Sequence, residues 1–437
     1  MAKVMTWNVW DIPVSQFRET RMEGIAKVLR ENKDNIDLVG LMECWLEKDR
    51  NKLIEAGKTG GLVYSVFFRN GSGFPGGQSS GLVLLSRWPI VNSFYHRFSA
   101  AGKPQKILHW DFNAYSGKGI GWAQIKGPGC VGDIDFYISH FVAYYTPHPE
   151  DPKYDEYVYQ RHLAAWEAAQ FIKSTARDHS FAVYCVDLNA DPESLTYKIL
   201  TQLGGLGDAW SVSGRARRDA ELNDISECNG LTVNYPGSCY HDNNAWIASG
   251  EPSSRVDYIL FSSTRHMIAE WVERRFSGPE LIEVDSGITK GVSLSDHSAV
   301  LASFVVAPFV SEGSEQKEGN TNDIPGRKGT SEDEDKLTQA LLVSTKGGIA
   351  DALRRRRIAI FKAWLFCAIA IFVFCISLFW RDSWHTVIVI LQYFVGVGFS
   401  LSAYTYFLIA NVTIPDEESA MMFMLTSLKL RENIKFC

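Results

Sequence analysis

Two stretches near the C-terminal end, "AWLFCAIAIFVFCISLFW" and "TVIVILQYFVGVGFSLSAYTYFLIA", constrain this chain more than any other feature. Each runs for about 18 residues or more without an interior charge, long enough as a helix to cross a hydrocarbon layer of about 30 Å. A helix buried in a soluble core keeps a polar face, and neither stretch offers a charged one. The pattern predicts two transmembrane helices, at about 363–380 and 386–410 within a membrane region 354–410, and a cytoplasmic tail over 411–437. Arg354 to Arg357 precede the first helix, so its N-terminal side is expected in the cytosol, and two crossings return the C-terminus there. Lys362 can snorkel toward the headgroups.

The remainder divides at about residue 308. Up to that point short apolar runs alternate with Gly, Pro, Asn and Asp turns, interrupted by the amphipathic segments "RETRMEGIAKVLRENK" and "YVYQRHLAAWEAAQFIKSTAR". An α/β sandwich is the expected class. Residues 309–353, with "SEGSEQKEGNTNDIPGRKGTSEDEDK", carry few apolar groups and are expected as a flexible charged linker. With 46% hydrophobic residues the chain can bury a sizeable core, while a formal net charge of -6 argues against nucleic acid held through its phosphates. Its 8 cysteines form no C-x-x-C pair, which gives no support to a zinc site or a disulfide framework. The opening "MAKVMTWNVWDIP" lacks a signal-peptide core, so the large N-terminal region is expected in a reducing cytosol.

The candidate chemistry lies where apolar runs end. "KVMTWNVW" ends near Asn8, "IDLVGLMECW" near Glu43, "DFYISHF" at His140 and "FAVYCVDLNADP" at Asp187 and Asn189. Asp257 opens the run in "SRVDYILFS", and Asp296 and His297 open the one in "SLSDHSAVLASFVV". Each has a bland alternative: a turn former, a cap, a core histidine, or a partner for Arg255 in the case of Asp257. Together they fit one site better, because strands of a sheet bring their polar ends to a shared edge. Carboxylates and amides without clustered Cys or His suit a hard cation such as Mg²⁺. A His beside an Asp makes a general base, and metal-assisted attack of water on a phosphoester follows.

The motifs "TWNVWDIP", "LMECW", "SGLVLLSRWPI", "SGKGIGWAQI", "SHFVAYY", "QRHLAAWEAAQFI", "VDLNADPE", "RVDYILF" and "LSDHSAVLASF" together resemble the endonuclease/exonuclease/phosphatase superfamily. Within it they are similar to the magnesium-dependent neutral sphingomyelinases that carry two C-terminal membrane helices. The resemblance implies a four-layer α/β/β/α sandwich followed by a helical hairpin. It implies Glu43 as the main Mg²⁺ ligand with Asn8 and Asp296 beside it, and His297 as general base oriented by Asp257. Asp187 and Asn189 would orient phosphate and water, and His140 would donate to the phosphoryl oxygens. Lys118, in the Gly-rich "YSGKGIG", would contact the substrate headgroup or an anionic lipid, a candidate activator.

The chain departs from that family at Val142 and Tyr144, where a His and a Glu are usual, at Asn113, where an Asp is usual although Asp111 lies close, and at Val186, where a Gly is usual. These positions are expected to line a pocket, leaving open whether the headgroup is phosphocholine, phosphoethanolamine or inositol phosphate. The expected activity is phospholipase C-type hydrolysis of a sphingophospholipid to ceramide and a phosphorylated headgroup. It would be carried out by an integral protein of an endomembrane or the plasma membrane, with its catalytic domain facing the cytosol. The alternatives are another phosphodiesterase or phosphatase of the superfamily, or a membrane scaffold without catalysis. The expected topology leaves both glycosylation sequons, at Asn70 and Asn411, on the cytosolic side, with Asp382 near the lumenal turn. Expression in a glycosylation-competent cell should therefore give no mobility shift on deglycosylation; a shift traced to Asn70 would move the catalytic region into the lumen.

Overall fold

A computed structural model of the 437-residue chain describes residues 1–69, 79–109, 113–129, 131–177, 180–213, 230–235, 238–241, 252–263, 267–276, 280–283, 289–306, 331–376 and 385–435. Two six-stranded sheets form the N-terminal region. One contains β1 (Ala2–Asn8), β2 (Leu38–Met42), β3 (Tyr64–Phe67), β4 (Val83–Ser86), β11 (Met267–Arg275) and β14 (Ala299–Val306), in the order β11-β14-β1-β2-β4-β3. The other contains β5 (Ile90–Arg97), β6 (Gly119–Lys126), β7 (Asp133–His140), β8 (Phe181–Asp187), β9 (Gly207–Asp208) and β10 (Asp257–Ser263), in the order β5-β6-β7-β8-β10-β9. β12 (Glu280–Glu283) and β13 (Thr289–Val292) make a separate hairpin.

Successive strand residues point to opposite faces, and here both faces are buried. Ala2, Val4, Leu38 and Met42 of the first sheet meet Phe136, Ile138, Val183 and Cys185 of the second in one core. The odd-numbered Met5, Trp7, Val39 and Leu41 instead pack with Met22, Ile25 and Leu29 of α1 (Arg18–Glu31) and Leu53 of α2 (Glu47–Thr59). On the outer face of the second sheet, Tyr137 bonds Thr175 and meets Phe171 edge to face, both from α3 (Val158–Thr175). The result is the expected α/β/β/α sandwich. Burial on both faces is why its strands read as continuous apolar runs.

The sheets approach most closely at Gly40, where an added Cβ would lie 3.0 Å from the Cβ of Cys185 and 3.2 Å from both Ile138 and Phe136. Only the lack of a side chain lets β2 lie against the second sheet here.

The chain divides into two compact units, Met1–Ala101 with Tyr115–Ala340, and Gly102–Ala114 with Leu341–Cys437. The segment expected as a flexible linker as far as residue 353 is helical from Ser331: α4 runs unbroken over Ser331–Ile376. Its charges hide a stripe of Leu337, Leu341, Thr345 and Ala352, all buried, which supplies the apolar face that composition alone conceals. The earlier part of that segment, 309–330, lies outside the described residues, as do the loop around Phe74, the sequon at Asn70, Asp111 and Asp382.

In the second unit, α5 (His385–Leu408) passes through one wide π-type turn, Ile409–Thr413, into α6 (Ile414–Lys435), so the expected tail is largely helical. α4 and the α5–α6 rod run antiparallel, since Arg355 pairs with Glu417 at 2.6 Å, Lys362 lies over Tyr406, and Phe374 meets Tyr393. Arg355 also bonds Asp351, and Arg356 bonds the Ala410 carbonyl. Part of the arginine run is thus neutralised inside the hairpin, while Arg354 and Arg357 remain exposed. Two helices are long and apolar enough to cross a membrane, and only 11% and 6% of their most apolar windows are buried. Core helices of a soluble protein would have most of that surface covered.

The contact at Gly40 gives a stability prediction. Gly40→Ala should destabilise the chain by about 1–3 kcal/mol, the usual cost of overpacking a tight core. Thermal and denaturant unfolding of the detergent-solubilised protein would measure it, and an unchanged midpoint would mean the sheets can separate freely.

Candidate active site

Strand register assembles the site. β1 and β2 are parallel with Asn8 opposite Met42, so Glu43 leaves its strand beside Asn8. In the second sheet His140 of β7 lies opposite Asp187 of β8, and Asp187 opposite Asp257 of β10, placing three expected residues in one row across neighbouring strands. The antiparallel pairing of β14 with β1 returns Asp296 and His297 to the same edge. The backbone carbonyl of His297 accepts from the Trp7 indole at 3.2 Å, and Ser295 Oγ donates to the Asn8 carbonyl at 2.7 Å.

Asn8 joins the two sheets. Its Nδ2 donates to Glu43 Oε1 at 3.1 Å and to Asp187 Oδ2 at 2.9 Å, while its Oδ1 accepts from the Trp10 N–H at 3.0 Å. Asn8 therefore faces the carboxylates through its amide N–H groups, while its oxygen, turned to the Trp10 backbone, keeps a second lone pair. Glu43 adopts the left-handed conformation at φ 59°, which is costly for a residue with a side chain and turns the carboxylate inward. Its Oε2 accepts from the Trp45 indole at 3.2 Å. Trp45 packs on Gly81, at φ 71°, where an added Cβ would sit 3.0 Å from the ring.

The two histidines are held oppositely. His297 Nδ1 donates to Asp257 Oδ2 at 2.8 Å. Burial alone would lower the His297 pKa, but the Asp257 carboxylate, with Asp296 and Asp187 behind it, holds it well above the ordinary imidazole value. Asp257 does not pair with Arg255, which instead bonds Asp208 at 2.8 Å. For His140, burial together with the positive charges of Lys118 and His297 pushes the pKa well down. Its Nε2 lies 3.7 Å from both Glu43 Oε1 and Asp187 Oδ2. Burial, then the neighbouring Asp257 charge, pushes the Asp187 carboxyl up to about 7.

Asn189, at φ 46°, donates its backbone N–H to Asp187 Oδ1 and its Nδ2 to the Phe141 carbonyl. Lys118 is 3% exposed, with its ammonium 3.1 Å from His140 Nδ1 and 3.0 Å from the Phe141 carbonyl. Its side chain is turned inward, beside His140. Val142 and Tyr144 are also buried, the Tyr144 hydroxyl bonding Ser254. Asp296 is buried beside Ser295, whose Oγ lies 3.3 Å from Asp296 Oδ1.

The donor set fits a hard divalent cation: oxygen-bearing Glu43 and Asp187 converge, and Glu43, at 12% side-chain exposure, is more open than Asp187 at 1%. A tighter cluster of Asp187, Asp257 and His297 has ligand atoms within 4.8 Å of one another. His297 Nδ1 there already donates to Asp257, so that nitrogen has no lone pair to offer a cation. The sequence reading missed Trp45, two residues after Glu43, and Arg21, fully buried with hydrogen bonds to the carbonyls of Val9, Trp10, Gln16 and Leu294. No motif signals Arg21; it is one more basic residue on an amphipathic helix.

The curated relatives include a putative neutral sphingomyelinase of Drosophila melanogaster, 29% identical over 300 residues, covering 68% of this chain and 59% of that protein. Human sphingomyelin phosphodiesterase 2 is 29% identical over 311 residues, and an inositol phosphosphingolipids phospholipase C of Saccharomyces cerevisiae 28% over 340; each match covers 70% of this chain and 64% of the relative. The chain thus spans 59% to 64% of the length of these relatives. Among solved structures, a beta toxin from Staphylococcus aureus superposes with a TM-score of 0.51 at 17% identity, covering 69% of this chain and 99% of the toxin, a likeness of fold. A family model matches residues 5–297, which include every site residue described above, and the chain belongs to the Endonuclease/Exonuclease/phosphatase family.

Proposed function

We propose that this chain is a Mg²⁺-dependent phosphodiesterase of the phospholipase C type, hydrolysing a sphingophospholipid to ceramide and a phosphorylated headgroup. The observation that carries the reading is the His297–Asp257 pair, 2.8 Å apart, with Asp257 in strand register with Asp187 and His140 at the edge where Glu43 emerges. The names of the relatives, neutral sphingomyelinase and inositol phosphosphingolipids phospholipase C, support the lipid class. The two apolar helices suit an enzyme whose substrate lies in a bilayer. An acidic chain with such helices is a poor candidate for a nuclease, and the complete set of Glu43, Asp187, Asn189, Asp257 and His297 is more than a silent scaffold needs.

His297 would take a proton from water at Nε2 while Asp257 holds the opposite ring nitrogen. Asp187 and Asn189 would orient the water and the phosphate, and His140 would donate from Nε2 to a phosphoryl oxygen. The water oxygen attacks phosphorus in line and the ceramide oxygen departs from the opposite side. Glu43 would hold Mg²⁺, which when bound supplies positive charge against the negative charge developing on phosphate and leaving oxygen. Asn8 would keep Glu43 and Asp187 together from below. The catalytic unit would face the cytosol, with exposed Arg357 offered to anionic lipid headgroups.

Purified protein offered sphingolipids with choline, ethanolamine and inositol phosphate headgroups in mixed micelles should release ceramide and one phosphorylated headgroup, identified by mass spectrometry. Release of nucleotides from nucleic acid, or of free phosphate, would refute this reading. Chelation should abolish turnover and Mg²⁺ restore it, and Glu43→Gln should cost at least about a hundredfold in kcat. Restoration by zinc alone would contradict the ligand assignment.

The pH profile tests the base. Because the Asp257 anion favours protonated His297, the acid limb of kcat/KM should lie above the ordinary imidazole value of 6.5. Asp257→Asn removes that stabilisation of the cation, so the limb should move to lower pH while the rate falls. His297→Asn should erase the limb, and a limb unmoved by either change would place the base elsewhere.

A further inference from the structure

The Gly-rich turn before β6 delivers Lys118 to His140 by register. β6 pairs antiparallel with β7, Ile120 opposite Ser139, so extending the ladder by two residues sets Lys118 opposite Phe141. The turn is fixed from both sides. Gly117 takes φ 64° and its carbonyl accepts from the Tyr95 hydroxyl, while the Lys118 carbonyl accepts from the Phe98 N–H at 3.1 Å. Gly119 admits no side chain, since a Cβ would fall 2.3 Å from the His96 carbonyl oxygen. The lysine side chain is thereby led inward to the Phe141 carbonyl at 3.0 Å and to His140 Nδ1 at 3.1 Å.

An ammonium carries protons and no lone pair, so it can only donate. A ring nitrogen that accepts from it must be unprotonated, which leaves the proton of a neutral imidazole on the other nitrogen. We propose that Lys118 is a positioning residue that locks His140 in the Nε2–H tautomer and aims that N–H between Glu43 and Asp187. Nε2 is 3.7 Å from a carboxylate oxygen of each. In the other tautomer an Nε2 lone pair would face the oxygens of two carboxylates, which when ionised offer it no proton. His297 shows the mirror case: its Nδ1 faces Asp257, an acceptor, so its proton sits on Nδ1 and its Nε2 is left to accept. A cation and a carboxylate thus set two histidines of one site to opposite tasks, one to donate and one to take a proton. The role of His140 as donor to phosphate rests on the proposed function; the tautomer does not.

The test uses full-length protein in detergent micelles with ¹⁵N,¹³C-labelled histidine, the His140 ring resonances being assigned from the His140→Gln spectrum. Wild type should show the Nε2–H tautomer alone. Lys118→Met should give a mixture or the Nδ1–H form, with kcat lower by about tenfold or more, since losing one donor to the developing charge costs roughly 10² to 10³. KM should stay within about twofold. Lys118→Gln, whose amide can still donate, should retain more of the Nε2–H form than Lys118→Met. An Nδ1–H ring in the wild type overturns the proposal whether or not any variant folds, and so does a tautomer unchanged in Lys118→Met. A rise in KM with the tautomer intact would make Lys118 a headgroup contact instead. A locked tautomer in a protein that cleaves no sphingolipid would refute the functional reading and leave this one standing.

Discussion

The amide nitrogen of Asn8 holds together carboxylates from two different sheets, and the rest of the site is arranged around that bridge. Glu43 follows β2 in the first sheet and Asp187 ends β8 in the second, and two acids held this close repel unless something between them donates. Asn8 supplies both protons and spends its oxygen on the Trp10 backbone, so its orientation is determined by bonds at both ends. The bridge requires the sheets to lie close, which Gly40 permits by placing no atom between β2 and Cys185.

Around this centre, charge is distributed so that each group has one task. Asp257 keeps a proton on Nδ1 of His297, and Lys118 keeps one off Nδ1 of His140. Arg21 ties the carbonyls of Val9 and Trp10 to that of Leu294 and so fastens the turn after Asn8 to the turn before Asp296. Each buried carbonyl left without a donor by the loss of Arg21 would cost about 1–3 kcal/mol.

The helical unit has its own organising contact. Arg355 is buried between Asp351 and Glu417, which fixes the register in which α4 meets α6. Breaking a buried pair by removing one partner typically costs about 3–5 kcal/mol, whereas apolar surfaces can slide past one another. The ion pair therefore specifies which faces of the hairpin meet, while the apolar stretches beyond it supply length.

Much of this was legible in the residues themselves. The apolar runs without charge, the polar residues closing successive strands, and the pairing of Asp and His types pointed to a sandwich followed by apolar helices and to the polar residues that the structure brings to one strand edge, because periodicity and residue chemistry are local properties. Helix formation from Ser331 was concealed because an average over a charged segment hides a stripe of Leu337, Leu341 and Ala352. What tertiary structure alone decided was partnership. Asp257 could have served the nearby Arg255 and serves His297, 40 residues away; Lys118 could have faced solvent and faces His140; Asn8 could have offered its oxygen and offers its nitrogen. Each choice depends on which strands become neighbours and in what register, and that is set by the packing of two sheets rather than by any stretch of sequence read alone.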